Sequence, residues 1–230
     1  MAAPTDMPDN FYENAKNYWS KIPATVEGML GGFSEISFID IHGSKQFLQP
    51  FLTMKEQIVT GNKGRVGRSR AVDCGAGIGR ITKQLLVPFF DSVDMVEVNP
   101  AFLAEAPVYM GDAAKRVGNF ICTGLQEFTP EPGSYDVIWC QWVLGHLTDA
   151  DLVAFLQRCR AGLREHGIIV VKDNMGSSAA SVFDADDSSF TRPRDAYMEC
   201  MHRAGLRILK EEKQRRFPKE IYEVRMFALQ

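Results

Sequence analysis

The run Asp73-Cys74-Gly75-Ala76-Gly77-Ile78-Gly79 lies where an apolar strand meets a helical pattern. Ala71 and Val72 end the strand, and Ile81 and Leu85 stand one turn apart in the helical segment. Glycine has no Cβ, so such a turn lets a ligand lie against bare backbone. Amides at a helix start can also hydrogen-bond a carboxylate or phosphate. A second apolar run, Met95-Val96-Glu97-Val98, carries an acid where a doubly wound α/β fold reaches a ribose diol.

The spacing selects among nucleotides. A dinucleotide fingerprint places its third glycine three positions after the second. Here the glycines alternate, at 75, 77 and 79. Asp73 in front of them repels a pyrophosphate and attracts an ammonium. S-adenosylmethionine carries an ammonium, a sulfonium and no phosphate, so the loop reads as a methyl-donor site. An ordinary glycine turn in an unrelated α/β domain is the competing reading.

The elements around the loop must hold it. Strands are expected over 71–74, 95–98, 120–123, 136–142 and 168–172, with helices between them, notably over 81–90 and 152–163. That alternation implies a mainly parallel sheet. Segments 206–213 and 222–229 are strand-like and form a candidate antiparallel pair. Before the loop, 10–19, 25–30 and 44–54 look helical, with Gly31-Gly32 as a break. The expectation is a helical cap over residues 1–60 and a catalytic unit over 61–230. Residues 174–193 lack sheet character and come after a strand end, where ligands bind in such folds.

Composition fits one domain with an extension: 230 residues, 45% hydrophobic. A formal charge of −3 gives no global case for nucleic acid. The basic stretch Lys63–Arg70 reads as a solvated loop, with nuclear import as the weaker alternative. The five cysteines show no CxxC pair and no zinc spacing, so no metal is expected. Cys122 and Cys140 lie in apolar runs, where a thiol behaves as a small buried hydrophobe. Cysteine usage without a secretory leader pattern points to a reducing compartment. No apolar run approaches the roughly 18 residues of a membrane span.

Other chemistry-bearing residues collect at strand ends. Gln141 and Trp142 arrive there on the fourth strand, and His146 comes one turn later. Tryptophan offers a flat face to a proline ring or a cation. Histidine takes a proton near neutral pH. A core aromatic and a capping histidine are the bland alternatives. The fifth strand ends in Lys172-Asp173-Asn174; Asn174 can bind a peptide backbone, and Asp173 can orient a neighbour. Asp184, Asp186 and Asp187 then form either a solvated acidic loop or a cradle for a cationic substrate.

With those residues in view, the chain resembles the eukaryotic protein N-terminal methyltransferases that modify the α-amine of Xaa-Pro-Lys termini. The carriers include Tyr18-Trp19, Gly28-Met29-Leu30-Gly31-Gly32, Asp73 through Lys83, Gly124-Leu125-Gln126, Gln141-Trp142-Val143, Gly145-His146-Leu147, Lys172-Asp173-Asn174-Met175 and Glu220-Ile221-Tyr222. The likeness implies a class I, Rossmann-like methyltransferase sheet with an N-terminal helical extension, using S-adenosylmethionine. It implies cofactor contacts at Asp73, Gly75, Gly77, Arg80, Glu97, Leu125, Gln126 and Gln141, with Arg80 on the methionine carboxylate. It implies peptide contacts at Trp19, Leu30, Ile36, Trp142, Asn174, Asp184 and Tyr222. Asp187 and His146 would take the proton from the amine. Protein substrates with free Xaa-Pro-Lys termini are the implied partners, without nucleic acid or membrane, in nucleus and cytoplasm. Two departures stand out: the 174–187 loop is one residue longer than the common animal pattern, leaving Asp186 to compete with Asp184, and 55–70 is long and basic. Two other functions remain open: methylation of side-chain or small-molecule amines, and a catalytically silent module that binds N-termini.

Overall fold

A computed structural model describes residues 9–53 and 65–230 of the chain. Its strands are β1 (Arg70–Cys74), β2 (Ser92–Glu97), β3 (Val117–Cys122), β4 (Tyr135–Gln141), β5 (Leu163–Met175), β6 (Val182–Asp184), β7 (Ser189–Thr191), β8 (Ile208–Lys213) and β9 (Glu223–Leu229). Seven of them form one sheet in the order β3-β2-β1-β4-β5-β9-β8. The first five strands run parallel, and β9 pairs antiparallel with both β5 and β8. The expected parallel sheet with an antiparallel end is what forms. Every residue of β4 is buried, as expected of a central strand covered on both faces.

Helices α4 (Pro100–Met110), α5 (Asp149–Gly162) and α6 (Arg194–Arg203) alternate with the strands. Thr148 caps α5 by accepting the Asp151 amide. Leu152, Phe155, Leu156 and Cys159, spaced for one helical face, pack into the core on the β4 and β5 side chains. The N-terminal helices are α1 (Phe11–Trp19), α2 (Val26–Met29) and α3 (Ser37–Thr53). Phe47, Leu48, Phe51 and Leu52 of α3 share the other core with Val137, Trp139 and Val170. The extension is therefore built into the sheet's own core. The expected boundary at residue 60, Met54 and the start of the basic stretch lie outside the described residues. Of the rest of that stretch, Arg65 and Arg68 are exposed, while Arg70 pairs with Asp94 at 2.6 Å.

Four details differ from the sequence reading. The helix expected over 81–90 ends at Leu86: residues 80–81 are α-wound, Thr82–Leu86 is π-wound, and a simple turn comes after. Five residues are too few for a hydrophobic pattern to separate that winding from an α-helix. Helix α3 begins at Ser37, seven residues early, because its first turns bury Asp40 and Ser44 among apolar positions. The 174–193 stretch contains the hairpin of β6 with β7. Phe183 and Phe190 meet across it and both pack on Phe11; three-residue strands are too short to show alternation. Cys122 is exposed, because β3 is the sheet's edge and most of its side chains face out.

Candidate active site

Two clefts meet above the carboxyl ends of β1, β2, β4 and β5. The first holds about 1060 Å³ of space, partly open to solvent, between α1 and the glycine loop. Gly75 and Gly77 line it with φ of +74° and +54°. A Cβ on Gly77 would lie 2.5 Å from Met29 Sδ, and one on Gly75 would lie 2.5 Å from Val143. Both the conformation and the space demand glycine.

The loop amides are not free. Those of Gly75 and Ala76 donate to the Val96 carbonyl, at 2.8 and 3.0 Å. The Gly77 amide donates to Glu97 Oε2 and the Asn99 amide to Glu97 Oε1, each at 2.9 Å. Three amides of the glycine loop are thus taken by Val96 and Glu97 rather than left for a ligand. Glu97 keeps lone pairs toward the cleft, since a carboxylate offers about four acceptor sites. Burial pushes its carboxyl up, against those amide donors.

Asp73 also serves the protein as well as the cleft. Its Oδ2 accepts the Thr82 amide and hydroxyl, at 3.0 and 2.7 Å, and pins the helical turn to β1. Burial pushes its carboxyl up to about 6. Arg80 bonds Asp40 Oδ2 through Nη1 at 2.7 Å and lies 5.6 Å from the Trp142 ring centre. Gln141 lines the cleft too, but its amide is committed: Nε2 donates to Asp40 and Oε1 accepts from Trp139. Leu125 and Gln126 form the far wall, where Arg158 holds their carbonyls at 2.9 and 3.1 Å.

The second cleft, about 1180 Å³ and more open, runs between the α2–α3 loop, the ends of β4 and β5, and the chain around 220–222. Trp142 has φ +52°, an outlier for a bulky residue. Its amide is held by the Lys172 carbonyl at 3.0 Å and its indole Nε1 donates to Asn174 Oδ1 at 3.2 Å. Phe217 stacks beside the ring. Leu30 and Ile36 form buried walls, and Tyr222, 53% exposed, stands at the mouth.

Asp187 faces this channel, and its Oδ1 is buried without a hydrogen-bond partner among the described residues. Asp184 does not line the channel: it pairs with Ser189 in the hairpin register, is exposed, and accepts the Asp186 amide at 2.9 Å. Its side chain is therefore exposed outside the cleft wall, where the lysine contact implied by the resemblance would have to form from the rim. Asp186 is exposed as well. The negative field of the three acids reaches Tyr18, whose phenol is raised by burial first and then by Asp187, Asp184 and Asp186.

His146 is fully engaged. The Trp19 indole, which can only donate, gives its N–H to Nε2 at 3.0 Å. The proton therefore sits on Nδ1, which donates to the Ser188 carbonyl at 3.2 Å. Burial holds the imidazole below its ordinary pKa, against the pull of Asp187. In this arrangement both ring nitrogens of His146 already have protein partners. Trp19, which the resemblance gives to the peptide, lines both clefts.

Sequence reasoning missed three contributors. Tyr12 and Lys16 of α1 face the first cleft, and Tyr12 latches α1 to α5 through Asp151. Asp40 sits behind Arg80 with Lys172, both fully buried. A charged residue on the apolar side of α3 was the available signal.

Comparison with known proteins supplies the lineage. A family model described as AdoMet dependent proline di-methyltransferase matches residues 7–230. The chain belongs to that family. Among its relatives, the N-terminal Xaa-Pro-Lys N-methyltransferase 1-A of Xenopus laevis is 55% identical over 95% of each chain. The N-terminal Xaa-Pro-Lys N-methyltransferase 1 of Homo sapiens is 53% identical, also over 95% of each. A SAM-dependent methyltransferase of Leishmania major superposes with TM-score 0.87 at 35% identity, over 99% of this chain and 87% of that one. A phosphoethanolamine N-methyltransferase of Haemonchus contortus, at 15% identity and TM-score 0.69 over 96% of this chain and 48% of that one, shows the shared fold. The family match thus spans both the sheet and the N-terminal helices.

Proposed function

We propose that the two joined clefts transfer methyl groups from S-adenosylmethionine to the free α-amine of proteins that begin Xaa-Pro-Lys. The observation that carries this is the shared floor. Trp19, Met29, Trp142 and His146 line both clefts, so a donor in one and an amine in the other meet there. The first cleft fits the donor: carboxylates at Asp73 and Glu97 suit an ammonium and a ribose diol, and the Arg80 guanidinium suits a carboxylate. When bound, the donor supplies an activated methyl group on its sulfonium.

The chain's own residues do the rest. Glu97 receives the ribose hydroxyls on its unused lone pairs. Leu125 and Gln126 flank the adenine. Asn174 has given its Oδ1 to Trp142, which leaves its Nδ2 to donate to a peptide carbonyl. Trp142, clamped at both amide and indole, presents a face to the proline. The exposed acids Asp184 and Asp186 attract the third-position lysine from outside the channel.

An α-amine has a reference pKa of about 7.7–8.0, so most of it is protonated at neutral pH and cannot attack. Asp187 Oδ1, buried and unpartnered, accepts that proton. His146 acts beside it by fixing the Ser188 carbonyl, one residue on, and by docking Trp19. The test is mass spectrometry of Ser-Pro-Lys and Ala-Pro-Lys peptides incubated with cofactor, beside α-N-acetylated controls. Methyl groups on the free peptides and none on the acetylated ones are expected. Equal methylation of acetylated peptides would mean a side-chain target, and binding without turnover would mean a silent module.

A further inference from the structure

Behind the donor cleft lies a buried charge cluster that the proposed reaction does not use directly. Asp40 of α3 and Lys172 of β5 are both fully buried and meet at 2.5 Å. Lys172 Nζ also reaches the Asp40 carbonyl at 3.1 Å, Ser44 Oγ at 2.9 Å and Gln214 Oε1 at 2.8 Å. Four oxygens around one nitrogen suit an ammonium, which has three N–H groups to give. Burial pulls the Lys172 ammonium down, and Asp40 pulls it back up. Burial likewise opposes the Asp40 carboxylate, yet Lys172 and Arg80 hold it below the usual carboxyl range. Gly43, one turn from Asp40, makes room: a Cβ there would lie 2.3 Å from Gln214 Oε1.

We propose that Asp40 and Lys172 are positioning residues that set the charge of the donor cleft, leaving one net positive charge on the Arg80–Asp40–Lys172 cluster to receive the donor's carboxylate. The proposal rests on reading the first cleft as the S-adenosylmethionine site. Arg80 and Gln141 line that cleft; Asp40 and Lys172 do not. Asp40 binds both lining residues, through Arg80 Nη1 and Gln141 Nε2. Alone, the Arg80–Asp40 pair would be neutral and would offer an incoming carboxylate little. Lys172, adjacent to Gln141 across the β4–β5 register, restores the missing charge from behind. A buried net charge is costly unless paired, and one carboxylate completes the pairing. Asp73 and Glu97 lie on the glycine-loop side of the same cleft, where the donor's ammonium and ribose belong. The donor's own charges, one anion and two cations, are thus matched by sign along the cleft.

The test is calorimetric titration of the full chain with S-adenosylmethionine and with decarboxylated S-adenosylmethionine, reading the ratio of the two Kd values. Wild type should favour the carboxylated ligand. Lys172→Met makes the cluster neutral and should shrink that preference roughly 10–30-fold, the scale of one unit charge at intermediate dielectric. Asp40→Asn leaves two positive charges and should enlarge the preference. Asp40→Asn combined with Lys172→Met returns the net charge to one and should restore the preference to within about threefold, a coupling that a double-mutant cycle isolates. Purely structural roles would weaken both ligands alike and leave the ratio fixed; that outcome in folded variants overturns the proposal. Asp40→Asn, nearly isosteric, keeps the test decisive where Lys172→Met fails to fold. A wild type that binds both ligands equally would overturn the reading of the cleft itself, a result distinct from wild-type preference with unmoved variants.

Discussion

The donor cleft and the acceptor channel share a floor and are built on opposite principles. In the donor cleft every carboxylate is held by the protein. Glu97 takes two backbone amides and Asp73 takes Thr82, and just behind the cleft Asp40 takes Arg80, Gln141 and Lys172. In the acceptor channel Asp187 keeps a buried oxygen unpaired, and Trp142 sits at a positive φ. An unsatisfied buried polar atom costs about 1–3 kcal/mol, and a non-glycine residue in that backbone region costs about the same. The difference comes from the ligands. A donor of constant shape is best met by groups already fixed. A substrate that arrives with a proton and must leave without it needs an acceptor that nothing else has filled.

Removing that acceptor should have the largest effect. Asp187→Asn changes charge at nearly constant shape, and turnover of an Xaa-Pro-Lys peptide should fall about 10²–10⁴-fold, the usual range for a positioned acid–base group. Cofactor affinity should hardly move, because Asp187 faces the other cleft. The variant's residual rate should climb through the pKa of the free amine more steeply than the wild-type rate. A pH–rate profile with parallel cofactor titration measures both. Wild-type kcat across the pH range would erase the contrast between the two clefts.

The reverse separation should hold for Glu97→Ala. Losing hydrogen bonds from a charged acceptor costs about 1.5–3 kcal/mol, or roughly 10–150-fold in cofactor Kd. The Gly77 and Asn99 amides also lose their partner, so Tm should fall as well. Peptide KM measured at saturating cofactor should stay near wild type. A large rise in peptide KM there would show that the donor wall also shapes the channel.

A smaller effect is expected from Trp19→Phe, which keeps the ring and deletes the N–H that His146 Nε2 accepts. The imidazole should then titrate closer to its ordinary value and lose its fixed tautomer, which ¹⁵N NMR of the ring reads directly. Peptide KM should rise a few-fold with kcat less affected. An unchanged tautomer would mean that Ser188 alone sets it.

How much of this was legible differs between the two clefts for the same physical reason. The donor loop is local: strand, glycines and helix start are contiguous, so Asp73, Gly75, Gly77 and Glu97 could be placed from spacing alone. Even there, sequence could not say that Glu97 and Val96 occupy the loop amides, because that depends on β1–β2 register. The acceptor channel draws on α1, the α2–α3 loop, two strand ends, a hairpin and the chain near Tyr222. Trp142, His146 and Asn174 were placed by their strand ends, but Trp19, Leu30, Ile36 and Tyr222 came from family resemblance, and only the hairpin showed Asp187 lining the cleft with Asp184 exposed. Asp40 was hidden because a single acid in an apolar helix acquires meaning only beside Lys172, 132 residues away. The parallel sheet, by contrast, was readable because alternating strand and helix patterns each speak for themselves.

A last expected effect concerns stability rather than turnover, and it lies at the base of the channel. Asp173 accepts the Asn174 amide at 2.8 Å, and burial pushes its carboxyl up to about 6 despite the donor groups of Asn174 and Tyr197. The unfolded chain titrates near 3.9. Between those values the folded state binds the extra proton, so this group's contribution is fully present below about pH 3.9 and is lost as pH rises through 6. Asp173→Asn cannot titrate. Its stability relative to wild type should therefore improve as pH rises from 4 to 7, by about 2–3 kcal/mol at most. Urea unfolding of both proteins at several pH values reads this directly. Because the comparison is a difference between two proteins, titration of His146 and Asp73 cancels from it. A difference that stays flat with pH would mean that the Asp173 carboxylate is stabilised in place, and the acceptor channel would then be as well satisfied at its base as the donor cleft is along its walls.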